Sequence, residues 1–247
     1  MFKDCFPTAP QLLDFAAVGS LKYQGVIKII NKTEIITTLY ENANPENAAP
    51  MKKYMKDKFD FLGLKKPERN LLSKQFLKGA KKDETIDWNF VFRLWSFPER
   101  EFQYLAMEYL VALKELLTEE DLSKLKQLIL DKSWWDTVDL IAAKLVGEIG
   151  VRNRGFTESA MKKWAKSEDI WIARTALLFQ LKYKEDTNKE LLKEVIKCNL
   201  GTKEFFIDKA IGWALREYSK TDPDFVRNVI ETVDLAPLAK REGGKYV

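Results

Sequence analysis

The 247-residue chain contains no histidine, two cysteines and eleven glycines. Without histidine, Ser-His-Asp and Cys-His nucleophile systems, imidazole general bases and His-liganded zinc are excluded. Cys5 and Cys198 are too few for a thiolate metal site or a disulfide framework. Neither G-x-G-x-x-G nor G-x-x-x-x-G-K-[ST] occurs, which argues against a nucleotide-phosphate loop. No apolar run approaches the ~20 residues that span a bilayer, and Asp14 interrupts the apolar stretch near the start. The expectation is a cytoplasmic protein with reduced thiols, no membrane partner, no cofactor and no metal. Its chemistry must then come from carboxylates, aromatics, arginine and lysine.

What is present is unevenly placed charge. The net balance is only +4, yet residues 51–82 carry eleven Lys or Arg against three acids, and residues 83–130 carry five against ten. A basic block of this kind suits a polyanion. A solvated, lysine-rich helical pair is the plainer explanation of the charge alone.

The composition is helical, rich in Leu, Lys, Glu and Ala, with no hairpin signal between alternating runs. Four amphipathic segments open on a small hydroxyl residue, at Ser96, Ser133, Ser167 and Thr202, with intervals of 37, 34 and 35 residues. Ser96 with Glu99 and Ser133 with Asp136 have capping-box spacing and are expected to start helices. Second helices are expected over 119–131, 157–166 and 188–199, and upstream ones over 26–41, 45–60 and 67–79. A helix pair every ~35–40 residues predicts an all-α, HEAT-like solenoid, an α-α superhelix with a concave surface. Residues 26–247 are expected to form one such domain. Residues 1–25 fit no repeat and are expected to be a poorly ordered extension.

Within KSWWDTVD (132–139), Trp135 and Asp139 are four apart and share a helical face. Trp134 and Asp136 point elsewhere. A Trp-Trp pair at a helix start commonly means core packing, but an unpaired carboxylate on that face would be costly. Arg174 lies among apolar neighbours, where an arginine can snorkel off a buried stripe. Trp213 and Arg216 are three apart. Trp135, Arg174 and Trp213 follow one another at intervals of 39, and their alignment in a stacked array favours a shared site over separate accidents.

With these motifs in view, the chain resembles the AlkD-like DNA alkylation repair proteins, bacterial HEAT-like-repeat DNA glycosylases. The resemblance spans roughly residues 35–242. It is carried by YMKDKFDFLGLKKPERN (54–70), LWSFPEREFQ (94–103), KSWWDTVD (132–139), DIWIARTALLFQLKYK (169–184), KEFFIDKAIGWALREYSKTDP (203–223) and LAPLAKRE (235–242). It implies removal of cationic N3- and N7-alkylated purines, such as 3-methyladenine and 7-methylguanine, from double-stranded DNA by a monomeric, monofunctional glycosylase. Asp139 falls on the catalytic acid and Trp135 and Trp213 on its aromatic walls. Arg174, Arg216, Tyr54, Lys66 and Arg69 fall on the DNA-binding positions. Asn70 departs from an arginine common in the family, which removes one phosphate contact. The C-terminal GGKYV departs from a helical ending, and the first 25 residues have no counterpart.

These residue types suit that reaction. A cationic purine leaves without protonation, so no imidazole is needed. A carboxylate stabilises the developing oxocarbenium ion and orients water, and indole faces attract the cation. Arg174 is expected to hold the Asp139 pKa down. An open concave surface is expected to lack an enclosed base pocket, and the resemblance implies excision without base flipping. The alternatives are a non-catalytic HEAT-repeat binder of damaged or branched DNA and a protein-protein scaffold. Asp139 argues against the first and the basic block against the second.

Overall fold

The computed structural model describes residues 30–247. The expected extension, 1–25, lies outside them. Several helix starts are set by short polar side chains that take up free backbone N–H groups. Asn31 and Glu34 form a reciprocal capping box that opens α1 (Lys32–Glu41). Asn44, followed by Pro45, opens α2 (Pro45–Tyr54). α2 ends well short of residue 60 because Lys56 and Asp57 both adopt left-handed backbone angles. α3 (Lys66–Ala80) follows. Asp87 caps α4 (Trp88–Ser96), which the sequence reading lacks. Then come α5 (Arg100–Ala112), α6 (Leu122–Leu130) and α7 (Trp135–Leu140). α7 runs through a π-helical stretch, Ile141–Val146, into α8 (Gly147–Arg152). The remainder is α9 (Arg154–Trp164), α10 (Ile170–Leu178), α11 (Lys189–Lys197), α12 (Phe205–Tyr218), α13 (Pro223–Thr232) and α14 (Pro237–Gly243).

Two expected capping boxes do not form. Ser96 closes α4, its hydroxyl donating to the Arg93 carbonyl, and Ser133 donates back to the carbonyl of Ile129. Their acidic partners are engaged elsewhere: Glu99 accepts from the Tyr40 hydroxyl, and Asp136 from Arg100 and Tyr104. The repeat becomes more regular as a result. α5, α7, α10 and α12 begin at Arg100, Trp135, Ile170 and Phe205, each 35 residues after the last. With that period, Trp135, Arg174 and Trp213 are not equivalent positions. Each sits one helical turn further along its own helix than the one before.

The chain is an all-α superhelix. α3, α5, α7, α10, α12 and α14 pack in succession to form one layer. α4, α6, α9, α11 and α13 pack on these as a second layer. The core runs between them, with Trp95, Phe102, Tyr109, Ile141, Leu145, Phe179 and Leu215 among its buried members. At the C-terminus α14 ends on Gly243, where a Cβ would lie 3.0 Å from the Leu215 side chain, and a single 3-10 turn, Gly244–Tyr246, follows. A Cβ on Gly212 of α12 would come within 2.6 Å of the Glu242 side chain and 3.1 Å of the Ala239 carbonyl. This lets α12 and α14 cross closely and brings Glu242 over Lys209 and Arg216.

The loop before α3 is tied down by one buried carboxylate. Glu101 accepts hydrogen bonds from the backbone N–H groups of Leu62, Gly63 and Leu64 at 2.9–3.0 Å. Burial pushes its carboxyl above the ordinary value despite those donors. Gly63 has φ of +89°, and a Cβ there would run into the backbone of Asn44 and Ala48. This loop sets where the basic block stands relative to α5. Among the described residues no helix is long and apolar enough to cross a membrane.

Candidate active site

Arginines bridge the layer step by step. Arg69 of α3 reaches Glu108 of α5, Arg100 of α5 reaches Asp136 of α7, and Arg174 of α10 reaches back to Asp139 of α7. Arg216 of α12 reaches Glu242 of α14. Guanidinium groups suit this use because a planar fork matches a carboxylate with two parallel hydrogen bonds.

The Asp139–Arg174 pair is the centre of the arrangement. Arg174 Nε donates to Asp139 Oδ1 at 2.7 Å, and Nη2 donates to Oδ2 at 2.8 Å. Its remaining Nη1 donates to the carbonyl of Phe206, in the first turn of α12. The arginine is 3% exposed and the aspartate 14%. One guanidinium therefore ties α7, α10 and α12 together and leaves part of the Asp139 carboxylate open. Burial pushes the Asp139 carboxyl above its ordinary value; the Arg174 hydrogen bonds and charge oppose this, and the Asp136 charge adds to it. The expected downward effect of Arg174 is present, but desolvation outweighs it. The π-helical stretch begins two residues after Asp139. Such irregular turns recur at functional sites, and no residue pattern in the sequence announces this one.

The aromatic residues divide into two groups. Trp135 is half-buried, and its ring meets the edge of Tyr54 at 6.3 Å between centroids. Tyr54, at the end of α2, is 69% exposed. Trp134 turns the other way, into a cluster with Trp171 and Phe206 at 5.6 and 5.0 Å. Lys58 lies over its outer face at 4.7 Å. Trp213, in α12, is half-buried and packs against the core. Trp134→Ala removes most of the contacts of that cluster and is expected to cost about 2–3 kcal/mol, read as a shifted urea midpoint with unchanged slope.

The five residues expected at DNA differ in what they can offer. Tyr54 and Lys66 are exposed. Arg216 is partly exposed and donates to Glu242 at 3.0 Å, beside Lys209 at 2.9 Å on the same carboxylate. Arg69 is directed inward instead: it is buried, donates to Glu108 through Nε and Nη2, and lies over the Tyr104 ring at 4.6 Å. Arg174 is likewise consumed by Asp139 and Phe206. Neither guanidinium is presented to a phosphate: Arg174 spans both oxygens of Asp139, and Arg69 places Nε and Nη2 on the single oxygen Glu108 Oε1.

A partly open cavity of about 270 Å³ lies under Tyr54, lined by Met51, Met55, Phe61, Lys65 and Tyr104 among others. It adjoins Trp135 through Tyr54 and Asp136 through Tyr104, so the surface is less featureless than a plain concave array would be. Arg100, Tyr104 and Asp136 are site residues that the sequence reading does not single out. The signal that finds them is spacing: Arg100 and Asp136 are separated by 36 residues, as Asp139 and Arg174 are by 35. Among the described residues no group of three or more acidic or thiol side chains is placed to hold a metal ion.

Residues 35–247 match the family described as DNA alkylation repair enzyme. The chain is also similar to a solved structure described as a predicted DNA alkylation repair enzyme from Enterococcus faecalis. The TM-score is 0.78 and the identity 38%, covering 83% of this chain and 96% of that one. No curated protein matches the chain.

Proposed function

The chain belongs to the DNA alkylation repair enzyme family, and from that premise we propose that it is a monofunctional DNA glycosylase releasing cationic N3- and N7-alkylated purines from duplex DNA. One observation carries this reading: a carboxylate held in a fixed orientation by a buried arginine, partly open, one turn from a half-buried indole.

An alkylated purine of this type already bears a positive charge, so its glycosidic bond breaks without protonation of the base. Positive charge then accumulates on the deoxyribose. Asp139 stabilises that charge and orients the attacking water, and Arg174 fixes the carboxylate beforehand so that little reorganisation is left for the transition state. Trp135 and Trp213 offer indole faces to a cation, each contributing roughly 0.5–2 kcal/mol. The carboxylate must be ionised to act. Because burial raises its pKa, base release should fall on acidification above the ordinary carboxylate range.

The exposed lysines of the basic block neutralise phosphates, which makes duplex binding strongly salt-dependent. Lys66→Ala should lower the slope of log affinity against log salt by about 0.9. Arg69→Ala should leave that slope unchanged and reduce folding stability instead, because Arg69 is spent on Glu108. Equal slopes for wild type and Lys66→Ala would remove Lys66 from the interface. The activity itself is tested by incubating methylated duplex DNA with excess protein at low salt and measuring free 7-methylguanine and 3-methyladenine. Tight binding without any release would favour a non-catalytic binder of damaged or branched DNA.

A further inference from the structure

We propose that Asp136, clamped by Arg100 and Tyr104, is a positioning residue for Asp139: it fixes the first turn of α7 and supplies the negative charge that balances the two arginines around the reacting carboxylate. The proposal rests on the glycosylase reading of Asp139.

α7 carries two carboxylates three residues apart, gripped from opposite sides by arginines of the flanking helices. They are treated differently. Asp136 Oδ2 accepts from Arg100 Nε at 3.0 Å and from the Tyr104 hydroxyl at 2.7 Å, and Oδ1 accepts from Arg100 Nη2 at 2.7 Å. Its side chain is 7% exposed, half the figure for Asp139. Asp136 is closed to a ligand, whereas Asp139 is not.

Arg100 is fully buried and holds more than Asp136. It donates to the Lys132 carbonyl and the Thr137 hydroxyl, both at 3.0 Å, and lies on the Phe59 ring at 3.8 Å. Residues 132, 136 and 137 are thus pinned to α5 by one side chain, and Trp135 and Asp139 share the turn they define. Packing alone does not account for this arrangement. A buried ion pair contributes little more stability than apolar side chains of similar volume, and often less. What it adds over leucine is direction and charge.

The charge matters because of the substrate. Asp139 and Asp136 together offset Arg174 and Arg100, so the cluster is neutral. Without Asp136 it would carry an excess positive charge where a cationic purine and an oxocarbenium ion must form. Asp136 also opposes the pull of Arg174 on the Asp139 proton. The charges that act on Asp139 are Arg174 from α10 and Asp136 from α7 itself, while Arg100 and Tyr104 from α5 bear on Asp136. Of these, Asp136 is the one that favours the protonated form of Asp139.

The test is Asp136→Asn, which keeps an acceptor for Arg100 while removing the charge, in the full chain beside wild type. Thermal unfolding establishes that the variant is folded, and duplex binding that it retains DNA. Single-turnover release of 7-methylguanine is then measured across pH. The expected result is release slower by roughly 10- to 100-fold, with the acid limb displaced to lower pH and binding retained. A purely structural clamp would move neither the rate nor the limb in a folded variant, and that result would overturn the proposal. Should Asp136→Asn not fold, the triple replacement Arg100→Met, Tyr104→Phe and Asp136→Leu is measured in the same way; it removes one charge of each sign, so the loss of rate is expected there without the displaced limb, and a wild-type rate overturns the proposal. A wild type that releases no base overturns the glycosylase reading, and this proposal with it. An active wild type beside an unaffected variant overturns this proposal alone.

Discussion

Arg174→Ala is expected to lower folding stability by about 3–5 kcal/mol at neutral pH. The change deletes both hydrogen bonds to Asp139 and the donor to the Phe206 carbonyl. An ionised carboxylate would be left in a largely dry position with no counter-charge, the situation in which breaking a buried pair is most damaging. The pH dependence has a definite sign. Burial already holds the Asp139 carboxyl above its ordinary value, and the two influences of Arg174 are the ones that oppose it. Without the arginine, the folded-state pKa rises further above the unfolded one. The ionised form then weighs against folding, fully at high pH, and this weight is relieved as the pH falls through the raised value. The difference in stability between wild type and variant should therefore shrink on acidification. Urea unfolding at two pH values measures it. A deficit below ~1 kcal/mol at neutral pH would mean that the pair does not hold α7 to α10 in solution. Arg174→Lys should fall between the two, because one ammonium cannot reproduce the fork.

The sequence carries the helical class and the repeat because both are written in local terms: apolar periodicity, helix-forming composition and recurring aromatic-acidic segments. The two helix starts read from capping-box spacing, at Ser96 and Ser133, do not form. Asn31 and Asp87, which do cap α1 and α4, are not singled out by the sequence reading, and Asp87 caps while it also accepts from Lys32. Ser133 with Asp136 has the spacing and fails, because Arg100, 36 residues earlier, takes the carboxylate. That competition is tertiary and leaves no mark within a short window. The same holds at the site. Trp135 and Asp139 share a face by spacing alone, but the direction in which Arg69 and Arg174 point depends on the neighbouring helix. By resemblance both fall on DNA-binding positions, Arg174 also beside Asp139, and both turn inward onto carboxylates. The π-helical stretch after Asp139 and the glycine-mediated crossing of α12 on α14 depend likewise on what packs against them, not on the residues themselves.

Asp139→Asn tests the central claim most directly. Asparagine is nearly isosteric and keeps one acceptor for the Arg174 guanidinium, so the fold should survive with a smaller loss than Arg174→Ala causes, checked by circular dichroism and thermal unfolding. What it loses is the negative charge that, in the proposed reaction, stabilises the sugar cation. Base release from methylated duplex DNA, followed under single-turnover conditions at low salt, should fall by on the order of 10²–10³-fold. Duplex affinity should be unchanged or slightly higher, since a negative charge has been removed from a polyanion-binding surface. Wild-type release of 7-methylguanine and 3-methyladenine, with near loss in a folded, DNA-binding Asp139→Asn, is the predicted result. Release by folded Asp139→Asn at the wild-type rate would contradict the account, because the reacting group would then have to lie elsewhere.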